Sequence, residues 1–184
     1  MDSRIAIGFR AHSGWAAAVV ISGPPYPPRV LGRTRVQLAE PGEGQPFHAA
    51  EQMPFDEAQA YLRERSKSTD AMAEASFQAI LRDLGERPTA CAILGASGRP
   101  LPDLARILKS HALIHTAEGE FFRQALRETA ARHQIPVRTI PEKSLAALQP
   151  QRFIEIASLG RLLGPPWQMD QKLAALAAWI ALDG

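Results

Sequence analysis

Two apolar stretches separated by a short polar turn constrain the fold of this chain more than any other feature of its sequence. The stretches, residues 4–9 and 15–21, are rich in Ile, Val, Ala and aromatic residues, and the turn between them contains Ser13 and Gly14. β-Branched and aromatic side chains favour strands, and a short turn with glycine joins antiparallel neighbours. The sequence therefore predicts a β-hairpin over residues 5–21.

Three further strands are predicted later in the chain. Within residues 29–38, long polar side chains alternate with smaller or apolar ones from Arg33 to Leu38, which is typical of a half-exposed strand. Three consecutive strands with short connections predict an antiparallel meander. Residues 89–94 are apolar on both faces, as in a buried parallel strand, and residues 136–140 are predicted to form a fifth strand.

Apolar residues at helical spacing predict α-helices between and after these strands. The stripe in residues 56–84 ends at Gly85, and its polar segment 63–70 is expected to project into solvent or to break at residues 66–69. Residues 40–52 show no period and are predicted to be a loop. Three further helices are predicted at residues 103–109, 117–133 and 171–182. Another helix is predicted to end at Gly164.

The composition predicts a single folded domain and excludes proteins with intrachain disulfides or cysteine zinc clusters. With 184 residues, 46% hydrophobic and 22% charged, the chain is expected to fold as one domain over residues 1–184. A net charge of +2 is too small to indicate a nucleic-acid or membrane partner by itself. The single cysteine, Cys91, excludes an intrachain disulfide and a cysteine zinc cluster. No signal peptide and no membrane span are predicted, so a cytoplasmic location is the default expectation.

The order of these elements and two local segments resemble a known family. Three strands, a helix, a strand, a helix, a strand and a terminal helix is the order of the ribonuclease H-like superfamily. The segment Gly8–Trp15 resembles the Gly-Ile-Asp-Pro-Gly…Thr-Gly-Trp opening of its RuvC-like Holliday-junction resolvases, and Gln168–Ala177 resembles their final helix. The resemblance implies a single α/β domain whose five-stranded mixed sheet has three antiparallel strands, then two parallel ones, with helices on both faces.

The chain departs from this family at its metal site. In active members, four carboxylates bind two Mg²⁺ ions that carry out phosphodiester cleavage. Asp170 matches one of those positions, but Arg10 stands where the first-strand aspartate belongs. Gly95 and Ala96 replace the glutamate, and Lys172 and Leu173 lie near the position of the last aspartate. Cations in place of carboxylates repel Mg²⁺, so the resemblance implies a degenerate metal site.

The implied fold brings several polar residues to one end of the sheet. Ligands of open α/β sheets bind at the carboxyl ends of strands, where Arg10, His12, Arg99, Asp170 and Lys172 are expected to converge. One interpretation is a structural ion pair between Arg10 and Asp170. The other is a site for an anionic group, with Arg10, Arg99 and Lys172 as hydrogen-bond donors.

A second group of candidate site residues depends only on whether one short segment is helical. If residues 111–120 are helical, His111 and His115 lie one turn apart and Glu118 follows on the same side, which is metal-ligand spacing. Thr116 is itself a plausible N-cap, and a helix starting there would leave both histidines in an irregular segment. His48, in the aperiodic stretch before the long helix, is interpreted as a solvated loop histidine that could also reach the site at the sheet edge.

These observations leave three functional hypotheses. The first is a RuvC-like protein without two-metal nuclease activity, which binds nucleic acid or another phosphate-bearing ligand at the degenerate site without a cofactor. The second is a hydrolase in which His111, His115 and Glu118 hold a metal such as Zn²⁺ or Mg²⁺, or act as acid and base. The third is a structural module that binds a partner protein. Each is compatible with a homodimer.

Overall fold

One mixed sheet of five strands organises the structure, which is a computed structural model describing residues 4–23, 26–95, 100–143 and 145–183. The strands are β1 (Arg4–His12), β2 (Trp15–Gly23), β3 (Arg29–Gln37), β4 (Ala90–Gly95) and β5 (Val137–Pro141). They lie in the order β3-β2-β1-β4-β5. β1, β2 and β3 pair antiparallel, whereas β4 pairs parallel with β1 and with β5. The predicted mixed sheet is confirmed.

Helices cover both faces of this sheet, as predicted. They are α1 (Pro46–Glu51), α2 (Phe55–Leu84), α3 (Leu104–Ile107), α4 (His111–Arg132), α5 (Leu145–Leu148), α6 (Pro150–Ser158), α7 (Gly160–Leu163) and α8 (Met169–Leu182). α2 and α4 pack on one face, and α8 packs on the other. Among the described residues, no helix has both the length and the apolar character needed to cross a membrane.

Alternation along β1 divides the core into two parts. Ile7 and Phe9 point toward α2 and α4, where the Phe9 ring stacks on Phe77 with centroids 5.2 Å apart. Ala6 belongs to the opposite core, which is formed largely by the apolar residues of α8. Successive strand residues face opposite sides of a sheet, so Gly8, Arg10 and His12 share the α8 face with Ala6.

Gly8 allows α8 to lie directly on β1. A Cβ atom built on Gly8 would lie 1.9 Å from the carbonyl oxygen of Ala174 and 3.0 Å from the amide nitrogen of Ala178. The small side chains of α8, including Ala174 and Ala178, permit this approach from the helix side. The first turn of α8 is consequently fixed beside the carboxyl end of β1.

One prediction for the region before β4 is wrong, and one of two alternatives for α2 is excluded. Residues 40–52 are not entirely loop, because α1 forms at residues 46–51 with a proline at its start. α1 is too short to show a helical period, and its Ala50 is buried against α2. Of the two alternatives for residues 63–70, the break at residues 66–69 does not occur, since α2 is continuous and its Thr69 is buried.

The start of α4 also differs from the prediction. Thr116 is not an N-cap: the helix begins at His111 after Ser110, and the Thr116 hydroxyl donates to the Ala112 carbonyl at 2.9 Å. This bond to the preceding turn satisfies the hydroxyl inside a helix, where a local pattern alone favours a helix start. His111 and His115 therefore lie on one continuous helix.

The other boundaries shift for local reasons. β1 continues to His12, past the predicted end at residue 9, because it stays paired with β2 to the turn. The predicted helix over residues 103–109 is shorter, with Asp103 as the N-cap of α3. The helix expected before Gly164 consists of the three short helices α5, α6 and α7. α8 begins two residues early, where Gln168 and Gln171 form a capping box.

The contact at Gly8 makes a quantitative prediction. Gly8→Ala should reduce the free energy of unfolding by about 3 kcal/mol, because the backbone of α8 must move away from β1. Gly32→Ala on β3 is the matched control, since a Cβ there meets nothing within 4 Å. Urea unfolding of both variants measures the difference. Equal stabilities would contradict the close approach of α8.

Candidate functional site

Polar residues at the ends of two strands and at the start of α8 meet at one edge of the sheet. β4 runs parallel to both β1 and β5, so the carboxyl ends of these three strands lie at the same edge. Arg10 and His12 end β1, and Glu142 directly follows β5. Asp170 lies in the first turn of α8, on the sheet face that Arg10 shares. The topology thus juxtaposes residues more than 130 positions apart.

Arg10 bonds to two carboxylates at this edge. Its Nη1 donates to Asp170 Oδ1, while its Nε and Nη2 donate to Glu142 Oε1 at 2.9 and 2.5 Å. The side chains of Arg10 and Asp170 are 22% and 23% exposed, so the ion pair is screened only in part. The expected pairing of Arg10 with Asp170 is present, and Glu142 makes it a bridge.

The charge state of Arg10 follows from these neighbours. Burial alone lowers the pKa of an arginine, because it penalises the charged form. Here the hydrogen bonds and charges of Glu142, then those of Asp170, outweigh that effect and raise the pKa of Arg10 above its ordinary value. Arg10 is a permanent cation between two acidic side chains.

A row of rings extends from this bridge toward β3. His12 Nε2 lies 3.0 Å from Asp170 Oδ1, and the His12 ring stacks on Trp15 with centroids 4.3 Å apart. The Arg35 guanidinium lies 3.7 Å from the centroid of the Trp15 ring. Arg35 is exposed and forms no ion pair within the part of the chain that the structure describes. Its charge is therefore accessible to a ligand.

The carboxylates at this edge do not fit a pair of magnesium ions. Mg²⁺ requires oxygen ligands in octahedral geometry, and two-metal sites bridge such ions with several carboxylates. Asp170 Oδ1 and Glu142 Oε1 both accept hydrogen bonds from Arg10. The guanidinium between them repels a divalent cation and occupies one oxygen of each carboxylate.

The structure does not describe one of the other two predicted site residues, and it leaves the second outside this network. Arg99 lies in the segment 96–99, outside the described residues. Lys172 follows Asp170 by two positions, which places it about 200° around α8, and among the described residues it forms no ion pair with Asp170 or Glu142. Sequence reasoning missed Glu142, although an acidic residue directly after a predicted parallel strand is a recognisable signal.

A second polar cluster lies on the opposite side of the sheet, where α1 packs on α4. The histidines His48, His111 and His115 each offer a nitrogen, and these atoms lie within 4.8 Å of one another. The expectation of a solvated loop for His48 is wrong: it lies on α1, and its Nδ1 is 2.9 Å from Glu118 Oε2. Glu118 is 3% exposed. The predicted trio of His111, His115 and Glu118 is thus joined by His48.

A groove of about 330 Å³ lies between α2 and α4. Its charged lining is acidic: Asp70, Glu120 and Glu128. Burial, and then the charge of Glu128, raises the pKa of Asp70 above its ordinary value. Carboxylates repel phosphate, so this groove is a poor site for a phosphate-bearing ligand.

The Arg10 bridge predicts a loss of stability when its cation is removed. Arg10→Met should lower the free energy of unfolding by about 1–2 kcal/mol, because two partly buried carboxylates lose their charged donor. Lys172→Met, a matched loss of positive charge on α8, should have little effect. Chemical denaturation compares the two variants. A similar loss for both would contradict a specific role for the bridge.

Comparison with solved structures identifies the fold. Two structures of RuvC from Thermus thermophilus are similar to this chain, one of RuvC itself and one of RuvC in complex with a Holliday junction substrate. Each matches with a TM-score of 0.57 and 14% sequence identity, covering 95% of this chain and 90% of the RuvC chain. No protein-family model and no curated protein matches the sequence. The chain has the RuvC-like ribonuclease H fold that residues 8–15 and 168–177 predicted.

Proposed function

We propose that this chain is a RuvC-like protein without two-metal nuclease activity, which binds branched or single-stranded nucleic acid at the carboxyl edge of its sheet. The observation that supports the proposal is the Arg10 bridge between Asp170 and Glu142. It replaces metal ligation by an internal ion pair at the edge where strands of this kind of sheet present their ligands. The same edge carries accessible cationic and aromatic side chains.

The proposed loss of cleavage rests on the pairing of Arg10 with the two acids at this edge. Two-metal cleavage needs carboxylates that are free to bind both ions. Arg10 donates three hydrogen bonds to the two acids of the bridge. A metal would have to displace a guanidinium that is itself charged and held at two sides. Binding without cleavage is therefore the activity that we assign to this edge.

The nucleic-acid contact is assigned to the surface beside the bridge. Trp15 and Arg35 line a depression of about 310 Å³ together with Gly14, Gly44 and one acidic residue, Glu40. The exposed Arg35 guanidinium suits a phosphate-bearing ligand, because the cation pairs with the phosphate while the Trp15 ring, which also contacts His12, holds the guanidinium in place. One of the similar RuvC structures holds a Holliday junction substrate, which supports nucleic acid as the ligand.

The bridge residues have separate roles in this proposal. Arg10 fixes Asp170, and Asp170 orients the His12 ring that stacks under Trp15. Of the five N–H donors of a guanidinium, three on Arg10 are used by the two acids of the bridge. Lys172 adds charge near the start of α8. A net charge of only +2 implies weak, salt-sensitive binding.

A charge reversal at Arg35 tests the contact. Arg35→Glu should weaken binding of a labelled four-way DNA junction at low salt at least tenfold, and it should reduce the slope of log affinity against log salt by about one. Arg29→Glu is the control, an exposed arginine on the same strand about 20 Å away. Fluorescence anisotropy measures both. Equal losses would assign the effect to overall charge, and no binding by the unmodified protein would overturn the proposal.

Restoring a carboxylate tests the account of the metal site. Arg10→Asp should place a third acid beside Asp170 and Glu142, so like-charge repulsion lowers Tm and millimolar Mg²⁺ partly restores it. The unmodified protein and Arg10→Asn should show no such response to Mg²⁺. Thermal unfolding with and without Mg²⁺ provides the comparison. Stabilisation or junction cleavage by the unmodified protein in Mg²⁺ would contradict the assigned loss of metal chemistry.

A further inference from the structure

We propose that His48, His111 and His115 form a binding site for a divalent transition metal, with Zn²⁺ as its expected occupant and Glu118 as the residue that orients His48. The site lies where α1 packs on α4, on the sheet face opposite the Arg10 bridge. It is independent of the proposed nucleic-acid function. Four side chains from two helices form it.

The spacing of the imidazole nitrogens suits one shared ion. The Nε2 atoms of His111 and His115 are 3.0 Å apart. Two nitrogens bound to one tetrahedral Zn²⁺ at 2.0–2.1 Å lie about 3.3 Å from each other. One nitrogen of His48 lies within 4.8 Å of both. The His111–His115 spacing is within a few tenths of an ångström of that value, and His48 must approach the pair from up to 4.8 Å for all three to bind a common ion.

Glu118 fixes which nitrogen His48 can offer. A carboxylate accepts hydrogen bonds, so His48 Nδ1 donates its proton to Glu118 Oε2 at 2.9 Å. The backbone N–H of His48 donates to the other carboxylate oxygen at 3.2 Å. This arrangement leaves the lone pair of His48 on Nε2, directed away from Glu118. A carboxylate bonded to the far nitrogen of a metal-binding histidine is the usual outer-shell partner of such sites.

Packing holds the two helices in this relation. His111 and His115 are four residues apart on α4, so they share one side of the helix. Phe47, beside His48, contacts the Phe121 ring edge-on with centroids 5.9 Å apart. Phe47 also packs against the small core formed by Ile107, Ile114 and Ala117. The ligands are therefore positioned by apolar contacts that form without a metal.

The other described histidines show what an ordinary paired histidine looks like. His133 bonds to Glu74 at 2.7 Å and His12 to Asp170 at 3.0 Å, and each is one ring with one acid. His48 also has its acid, but its ring lies 5.3 and 4.7 Å from those of His111 and His115. His111 and His115 are exposed, so neither needs a partner to satisfy a buried polar group. Convergence of three rings is the feature that a shared cation explains.

The donor set determines the class of ion. Imidazole nitrogen suits Zn²⁺, Co²⁺, Ni²⁺ and Cu²⁺, whereas Mg²⁺ and Ca²⁺ require oxygen ligands. Three histidines leave a fourth tetrahedral position, and the exposure of His111 and His115 opens it to solvent. Glu118 contributes the negative charge that partly balances the ion. The site is thus expected to take Zn²⁺ with water as its fourth ligand.

Cobalt substitution and zinc titration test the site. Untagged protein, stripped with a chelator, should bind one equivalent of Zn²⁺ by calorimetry and should give the visible absorption of tetrahedral Co²⁺. His111→Ala and His115→Ala should each abolish the Co²⁺ spectrum, and Glu118→Gln should weaken Zn²⁺ binding 10- to 100-fold. His133→Ala is the control, a histidine that pairs with an acid outside the cluster.

Each outcome decides the assignment. No Zn²⁺ binding by the folded protein, or equal loss in the His133 variant, would overturn the site. Because Glu118 is buried, circular dichroism is used to check that Glu118→Gln keeps its fold. His111 and His115 are exposed, so their variants do not need that check. Binding of the DNA junction should not change in any histidine variant of the cluster. Absence of Zn²⁺ binding would therefore leave the nucleic-acid proposal intact, and absence of junction binding would leave the metal-site proposal intact.

Discussion

The contact between α8 and β1 is the constraint on which the functional edge depends. Gly8 has no side chain, so the carbonyl of Ala174 lies where a Cβ atom would be. That approach sets the height of α8 along the strand and places Asp170 beside Arg10. A strand residue with any side chain at position 8 would separate helix and sheet. The ion pair is thus a consequence of backbone packing rather than its cause.

Arg10 changes what this edge can do chemically. An aspartate at the same point would add to the negative charge of Asp170 and Glu142 and create a site that attracts divalent cations. The guanidinium neutralises part of that charge and joins the two acids internally. The fold has the kind of edge at which open α/β sheets present their ligands, and beside the bridge the Arg35 guanidinium lies 3.7 Å from the centroid of the Trp15 ring.

The sheet separates two sites with different chemistry. One face carries the Arg10 bridge and the stacked rings, with the N-terminus of α8 beside them. The other carries the three histidines and the buried Glu118, held by α1 and α4. The bridge is formed by residues of β1, α8 and the end of β5, whereas the histidines lie on α1 and α4, so the two sites share no residue. The two proposals can therefore be tested separately in the same protein.

The sequence by itself determined the strands, because alternation, turn residues and apolar runs are local signals, and the resemblance of the element order to a known superfamily implied the fold class. It also placed Arg10, His12 and Asp170 at one edge, since the resemblance in residues 8–15 and 168–177 carries that geometry. Tertiary structure decided the rest. Glu142 and His48 reach their sites through contacts with residues 132 and 70 positions away, and the local sequence around each of them does not specify that partner. α1 and the start of α4 form because packing against neighbouring helices outweighs weak local propensity.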